Sequence, residues 1–158
     1  MAGRGNTREK PDESRAPEKT HRVFIAVSLP AHVTAALGGL QEKLKDFGVR
    51  MKYTDPENIH LTLKFLGDVR ASRVAVIKGQ LAAAVNRYAP LTLSAKGMGV
   101  FPGIRRPRVL WTGVAGQTEQ LEQLQQDVEA AMETVGFQKE GRRFTGHLTL
   151  GRFKGKAD

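Results

Sequence analysis

The sequence contains no cysteine. That excludes a disulfide framework, a thiolate zinc site and a cysteine nucleophile. No apolar run approaches the roughly 20 residues of a membrane-spanning helix. The N-terminus lacks the apolar core of a secretory signal, so a cytoplasmic setting without a membrane partner is the expectation. No Gly-rich phosphate loop is present, and no Ser-His-Asp order is evident. Acidic side chains are also in short supply, with 16 Asp and Glu against 25 Lys and Arg and a net charge of +9. An excess of this size favours anionic partners such as nucleic acid, nucleotides or phosphate esters, although charge alone fits plain solubility as well. At 158 residues a single domain is expected.

Residues 1–21 are rich in charge, Gly and Pro and nearly bare of apolar side chains. Such a segment cannot bury enough surface to offset its ordering entropy, so a disordered tail is expected there. Its charges nearly cancel, leaving +1, so most of the positive charge falls on residues 22–158. His21 lies at the tail's edge and is expected to be solvated.

The rest alternates between two periodicities. Arg22 to Leu29 reads as a strand. Pro30 opens a helix whose apolar stripe is Val33, Ala36, Leu37, Leu40, Leu44 and Phe47, with Gly48 as its stop. His32 falls off that stripe and is set aside. A strand follows at 58–66, ended by Gly67-Asp68, then a helix at 71–88. Leu91 to Ala95 is a short strand, and 97–108 reads as a Gly-, Pro- and Arg-punctuated loop. A strand at 109–114, a helix at 118–135 and a strand at 144–153 complete the order.

The tetrapeptide His-Leu-Thr-Leu occurs twice, as His60-Leu61-Thr62-Leu63 and His147-Leu148-Thr149-Leu150. Alternation along a strand puts each His and Thr on one face and the leucines on the other. On that reading Lys64 joins His60 and Thr62, Phe65 joins the leucines, and Arg152 points away from His147. One motif in each half, with helices and strands of similar weight, implies an α+β fold. The expected form is two pseudo-symmetric lobes, each an antiparallel sheet with helices on its outer face and a groove between the sheets.

Two histidines across a groove suit acid–base chemistry, because an imidazole ordinarily titrates near about pH 6.5 and the pair can hold opposite protonation states. Thr62 and Thr149 can donate to the non-bridging oxygens of a phosphate. Arg105, Arg106, Arg108, Arg142 and Arg143 form a basic rim, and Lys64, Arg106 and Arg152 are candidate substrate contacts. A metal site is the competing chemistry, but neither motif carries a further ligand at suitable spacing. A non-catalytic nucleotide- or RNA-binding module, and a structural role for both tetrapeptides, are the other readings.

These residues resemble the two-histidine phosphoesterase superfamily, in particular its LigT-like RNA 2′,3′-cyclic phosphodiesterases with their His-x-Thr-x motifs. The matching stretches are 22–27, 58–67, Phe101-Pro102 with 106–111, and Phe144 with 147–152. Gly146 stands where the family usually has Pro. The resemblance implies metal-independent, cofactor-free hydrolysis of RNA or nucleoside 2′,3′-cyclic phosphates to a 2′-phosphomonoester. His60 is then the acid toward the leaving 3′ oxygen, His147 the base toward water, and Thr62 and Thr149 the phosphate contacts. It also implies RNA ends as partners, tRNA halves among them, with 2′–5′ joining as the reverse reaction, and a monomer. Relatives continue beyond the second motif, so a domain truncated at its C-terminus is expected.

Overall fold

The structure, a computed structural model, describes residues 17–155. The expected tail therefore falls largely outside the described residues. Its last part does not: Lys19 O accepts the Ala71 N–H, and Glu18 Oε1 accepts the Ser72 N–H at 2.7 Å. The first strand, β1, begins at Thr20 and runs to Val27.

The order is β1, α1 (Ala31–Asp46), β2 (Lys52–Tyr53), β3 (Leu61–Arg70), α2 (Val74–Val85), β4 (Leu93–Phe101), β5 (Val109–Gly116), α3 (Thr118–Thr134) and β6 (His147–Arg152), with short 3₁₀ turns at Pro56–Asn58 and Ala71–Arg73. The fold is α+β in two lobes, as expected. One sheet pairs β1 with β3, and the other has the order β2-β6-β5-β4. Among the described residues every pairing is antiparallel. Among the described residues no helix is long and apolar enough to cross a membrane.

Each sheet buries one face under helices. The Gln41 side chain of α1 donates to Leu150 O and Thr54 O at 2.9 and 2.6 Å, which holds α1 on the larger sheet. Helix α3 lies behind β3, with Gln125 Nε2 donating to Leu63 O at 3.4 Å, and α2 packs beside it. The leucines of both motifs join Val128 and Met132 of α3 in one continuous core.

Two strands run further than local signals predict. Gly67 and Gly97 take φ of +74°, a conformation open to glycine, and each sits at a register shift that lets its strand continue. Hence β3 passes Gly67-Asp68 and β4 runs on to Phe101, through residues read from sequence as a loop. Gly99 has a second duty: a Cβ there would lie 2.3 Å from the Trp111 ring on the neighbouring strand. The two-residue β2 is too short to carry a periodicity of its own, and the sequence gives no sign of it.

Candidate active site

His60 immediately precedes β3 and His147 is the first residue of β6, and both are half-buried. Leu61, Leu63, Leu148 and Leu150 are buried, while Thr62 and Thr149 are half-buried on the opposite, open face. The two motif segments also meet in the core. Gly146, just before His147, lies against Leu61, just after His60; a Cβ on Gly146 would sit 3.8 Å from Leu61 Cδ1.

Strict alternation fails after each tetrapeptide, at the same place. In β3, Thr62 pairs with Ala26 and Lys64 with Ile25, so Leu63 is an extra residue. In β6, Thr149 pairs with Trp111 and Gly151 with Leu110, so Leu150 is an extra residue. An inserted residue exchanges the faces of all the residues after it. Three expectations are corrected accordingly.

Lys64 does not share the open face with Thr62. Its side chain is 5% exposed, and Nζ donates to Glu129 Oε2 at 2.7 Å and to Gln138 O at 2.9 Å. Phe65 is not beneath the sheet but 71% exposed, beside Phe24, with ring centroids 6.1 Å apart. Arg152, paired with Val109 two residues from Trp111, returns to the face of Thr149.

Aromatic rings flank both histidines. Phe24 lies 5.9 Å from the His60 ring. Phe101 meets His147 edge-on at 5.1 Å, and Trp111 stands 6.2 Å away. Sequence reasoning missed these neighbours. The available signal was positional: Phe24 alternates with Ala26 on β1, and glycines at 99 and 113 leave room around Trp111.

The His147 ring is fixed by a 2.8 Å contact from Nδ1 to Thr145 O. A carbonyl only accepts, so Nδ1 carries the proton, and in the neutral ring Nε2 is left with its lone pair free. Among the described residues His60 has no such hydrogen bond. A cavity of about 410 Å³ joins Thr62 and His147 to Arg142 and Arg143. Arg105 and Arg106 are exposed in the β4–β5 connection, at the Arg152 end of the open face. His21 and His32 are exposed, His21 on β1 and His32 on α1. Among the described residues no three His, Asp or Glu side chains group closely enough to hold a metal ion.

The sequence matches the family model for LigT like phosphoesterase over residues 27–111 and 113–158. It is similar to the RNA 2′,3′-cyclic phosphodiesterase of Methanothermobacter thermautotrophicus, with 37% identity over 134 residues, covering 85% of this chain and 72% of that one. The Aeropyrum pernix protein of the same name is 37% identical over 119 residues, 75% of this chain and 66% of its own length. Among solved structures, TT0787 of Thermus thermophilus superposes with a TM-score of 0.73 at 28% identity, covering 87% of this chain and 77% of that one. Escherichia coli LigT complexed with 3′-AMP gives 0.70 at 25% identity, with 89% and 77% covered. With its motifs, fold and groove all of this kind, the chain belongs to the LigT-like phosphoesterases.

Proposed function

We propose that the protein is an RNA 2′,3′-cyclic phosphodiesterase that opens the cyclic phosphate to a 2′-phosphomonoester without a metal ion. The observation that carries this reading is the paired architecture: two strands with the same His-Leu-Thr-Leu order and the same bulge after it, with Thr62 of one and His147 of the other lining one cavity.

The roles in the step are those the family resemblance implies. His147 Nε2 takes a proton from water, whose oxygen attacks phosphorus. His60 gives a proton to the 3′ oxygen as the P–O3′ bond breaks, leaving the phosphate on O2′. Thr62 and Thr149 donate to the non-bridging oxygens, and Arg152 supplies positive charge on the same face. Lys64 acts behind the sheet rather than on the phosphate, since its ammonium is held by Glu129 and Gln138. Phe24 and the Phe101–Trp111 pair, with centroids 5.0 Å apart, wall the two imidazoles. Arg106 attracts the nucleic-acid backbone from the rim.

Escherichia coli LigT has been solved with 3′-AMP, ATP and NADP+, which supports a nucleotide phosphate as the group bound in the groove. The reading extends to cytoplasmic RNA ends, tRNA halves among them, bound by a monomer. The same histidine pair run in reverse would join ends through a 2′–5′ bond.

The test is turnover of a nucleoside 2′,3′-cyclic phosphate in the presence of EDTA. The expected product is the 2′-monophosphate, with a bell-shaped pH profile. His60→Ala and His147→Ala should each lower kcat by roughly 10²–10⁴-fold. Turnover that needs added metal, or that survives both substitutions, rejects the mechanism.

A further inference from the structure

Arg142 and Arg143 have no role in the chemistry above, yet they line the same cavity as Thr62 and His147. Among the described residues no carboxylate lies within ion-pair distance of either guanidinium. Both are exposed. Two carboxylates also face this cavity. The charge of Glu129 is matched by Lys64, and Glu140 accepts the backbone N–H of Arg142 at 3.4 Å. One positive charge is left over, enough for one phosphodiester.

The loop carrying these arginines is held from below. Lys64 donates to Gln138 O, and Glu129 Oε2 accepts the Glu140 N–H at 3.3 Å. The Lys64–Glu129 pair thus fastens the loop to β3 and α3 before any substrate arrives, which reduces the ordering cost of binding there. Guanidinium groups suit this task because their planar fork matches phosphate oxygens.

We propose that Arg142 and Arg143 form a subsite for the phosphodiester on the 5′ side of the terminal nucleotide, so that the enzyme selects cyclic-phosphate-ended oligonucleotides over mononucleotides. The proposal rests on the cyclic-phosphodiesterase reading. With the cyclic phosphate at Thr62 and His147, a cavity of about 410 Å³ extends beyond it to the two arginines. That volume lies in the usual range for ligand sites, roughly 300–1,000 Å³. A nucleoside cyclic phosphate has no second phosphate to place there, whereas a dinucleotide has one.

The experiment compares kcat/KM for a dinucleotide ending in a 2′,3′-cyclic phosphate with that for the corresponding nucleoside 2′,3′-cyclic phosphate. The wild type should favour the dinucleotide by roughly tenfold or more. In Arg142→Ala/Arg143→Ala the ratio should fall to near unity. In Arg142→Lys/Arg143→Lys, which keeps the charge but loses the fork, part of the preference should remain and become more salt-sensitive. A wild-type ratio near unity, or a ratio unchanged in the alanine variant, overturns the subsite while leaving the hydrolase reading intact. Failure of the wild type to turn over either substrate overturns both.

Discussion

The strands β3 and β6 present the same tetrapeptide, yet they are finished differently. After its extra leucine, β3 sends Lys64 inward, where burial requires a counter-charge, and Glu129 of α3 supplies it. At the equivalent place β6 has Gly151, and a Cβ there would lie 2.7 Å from Met51 and 2.9 Å from Lys52 O. One strand meets α3 through an ion pair; the other packs closely against the chain leading into β2. On the open face the partners differ again, Phe65 against Arg152. The imidazoles follow suit: His147 is locked by Thr145 O between two aromatic rings, while among the described residues His60 has the Phe24 ring alone. Repetition of the motif therefore supplies the pair, and the unlike surroundings leave one ring with a fixed tautomer and the other without that restraint.

The largest effect expected from breaking this contrast is on stability. Lys64→Met leaves the Glu129 carboxylate, 9% exposed, without its cation. Unfolding in urea should show a loss of about 3–5 kcal/mol. Lys64→Met/Glu129→Leu, which removes both charges, should recover most of it. A small loss in the single variant would mean that water reaches Glu129.

The next effect sharpens the symmetry itself. Thr62→Val and Thr149→Val should each lower kcat/KM roughly 10-fold or more, the worth of a hydrogen bond to a charged group. Similar losses would show both strands gripping the phosphate alike. A loss confined to one would make the other threonine part of the sheet only.

The smallest concerns the helices behind β3. The Tyr88 hydroxyl of the α2 end bonds Asp127 of α3, and this bond, ahead of Gln123 and Arg87, holds the Asp127 carboxyl below its ordinary 3.8 against the opposing pull of desolvation. The folded value is depressed, so the tie stabilises the fold above the ordinary carboxylate range and is lost as pH falls through the folded value. Tyr88→Phe should move the Asp127 titration up toward 3.8, as read by NMR. An unmoved titration would assign the shift to other neighbours.

Much of this was legible in the chain. The helices declared themselves by period, and the motifs by repetition on strands with leucines at every second place. The residues just past each motif were not legible, because a bulge leaves no composition signal of its own. One extra residue at Leu63 and one at Leu150 were enough to reverse the sides of Lys64, Phe65 and Arg152. The aromatic walls of the site were hidden for a different reason. They come from β1, β4 and β5, whose alignment beside the motifs is a matter of register that no local window contains. The Gly-rich stretch before Phe101 misled in the same way, since Gly97 continues a strand through a bulge and Gly99 makes way for an indole.

The contact at Gly146 lies where the run into β6 meets β3, β5 and α3. With no side chain there, the run into β6 settles against Leu121, Val114 and Leu61, and its approach is limited by how closely apolar surfaces can touch. A methyl or larger group at this position would act as a shim between the lobes. The approach of β6 to β3, β5 and α3 could then be adjusted in small steps from inside the core.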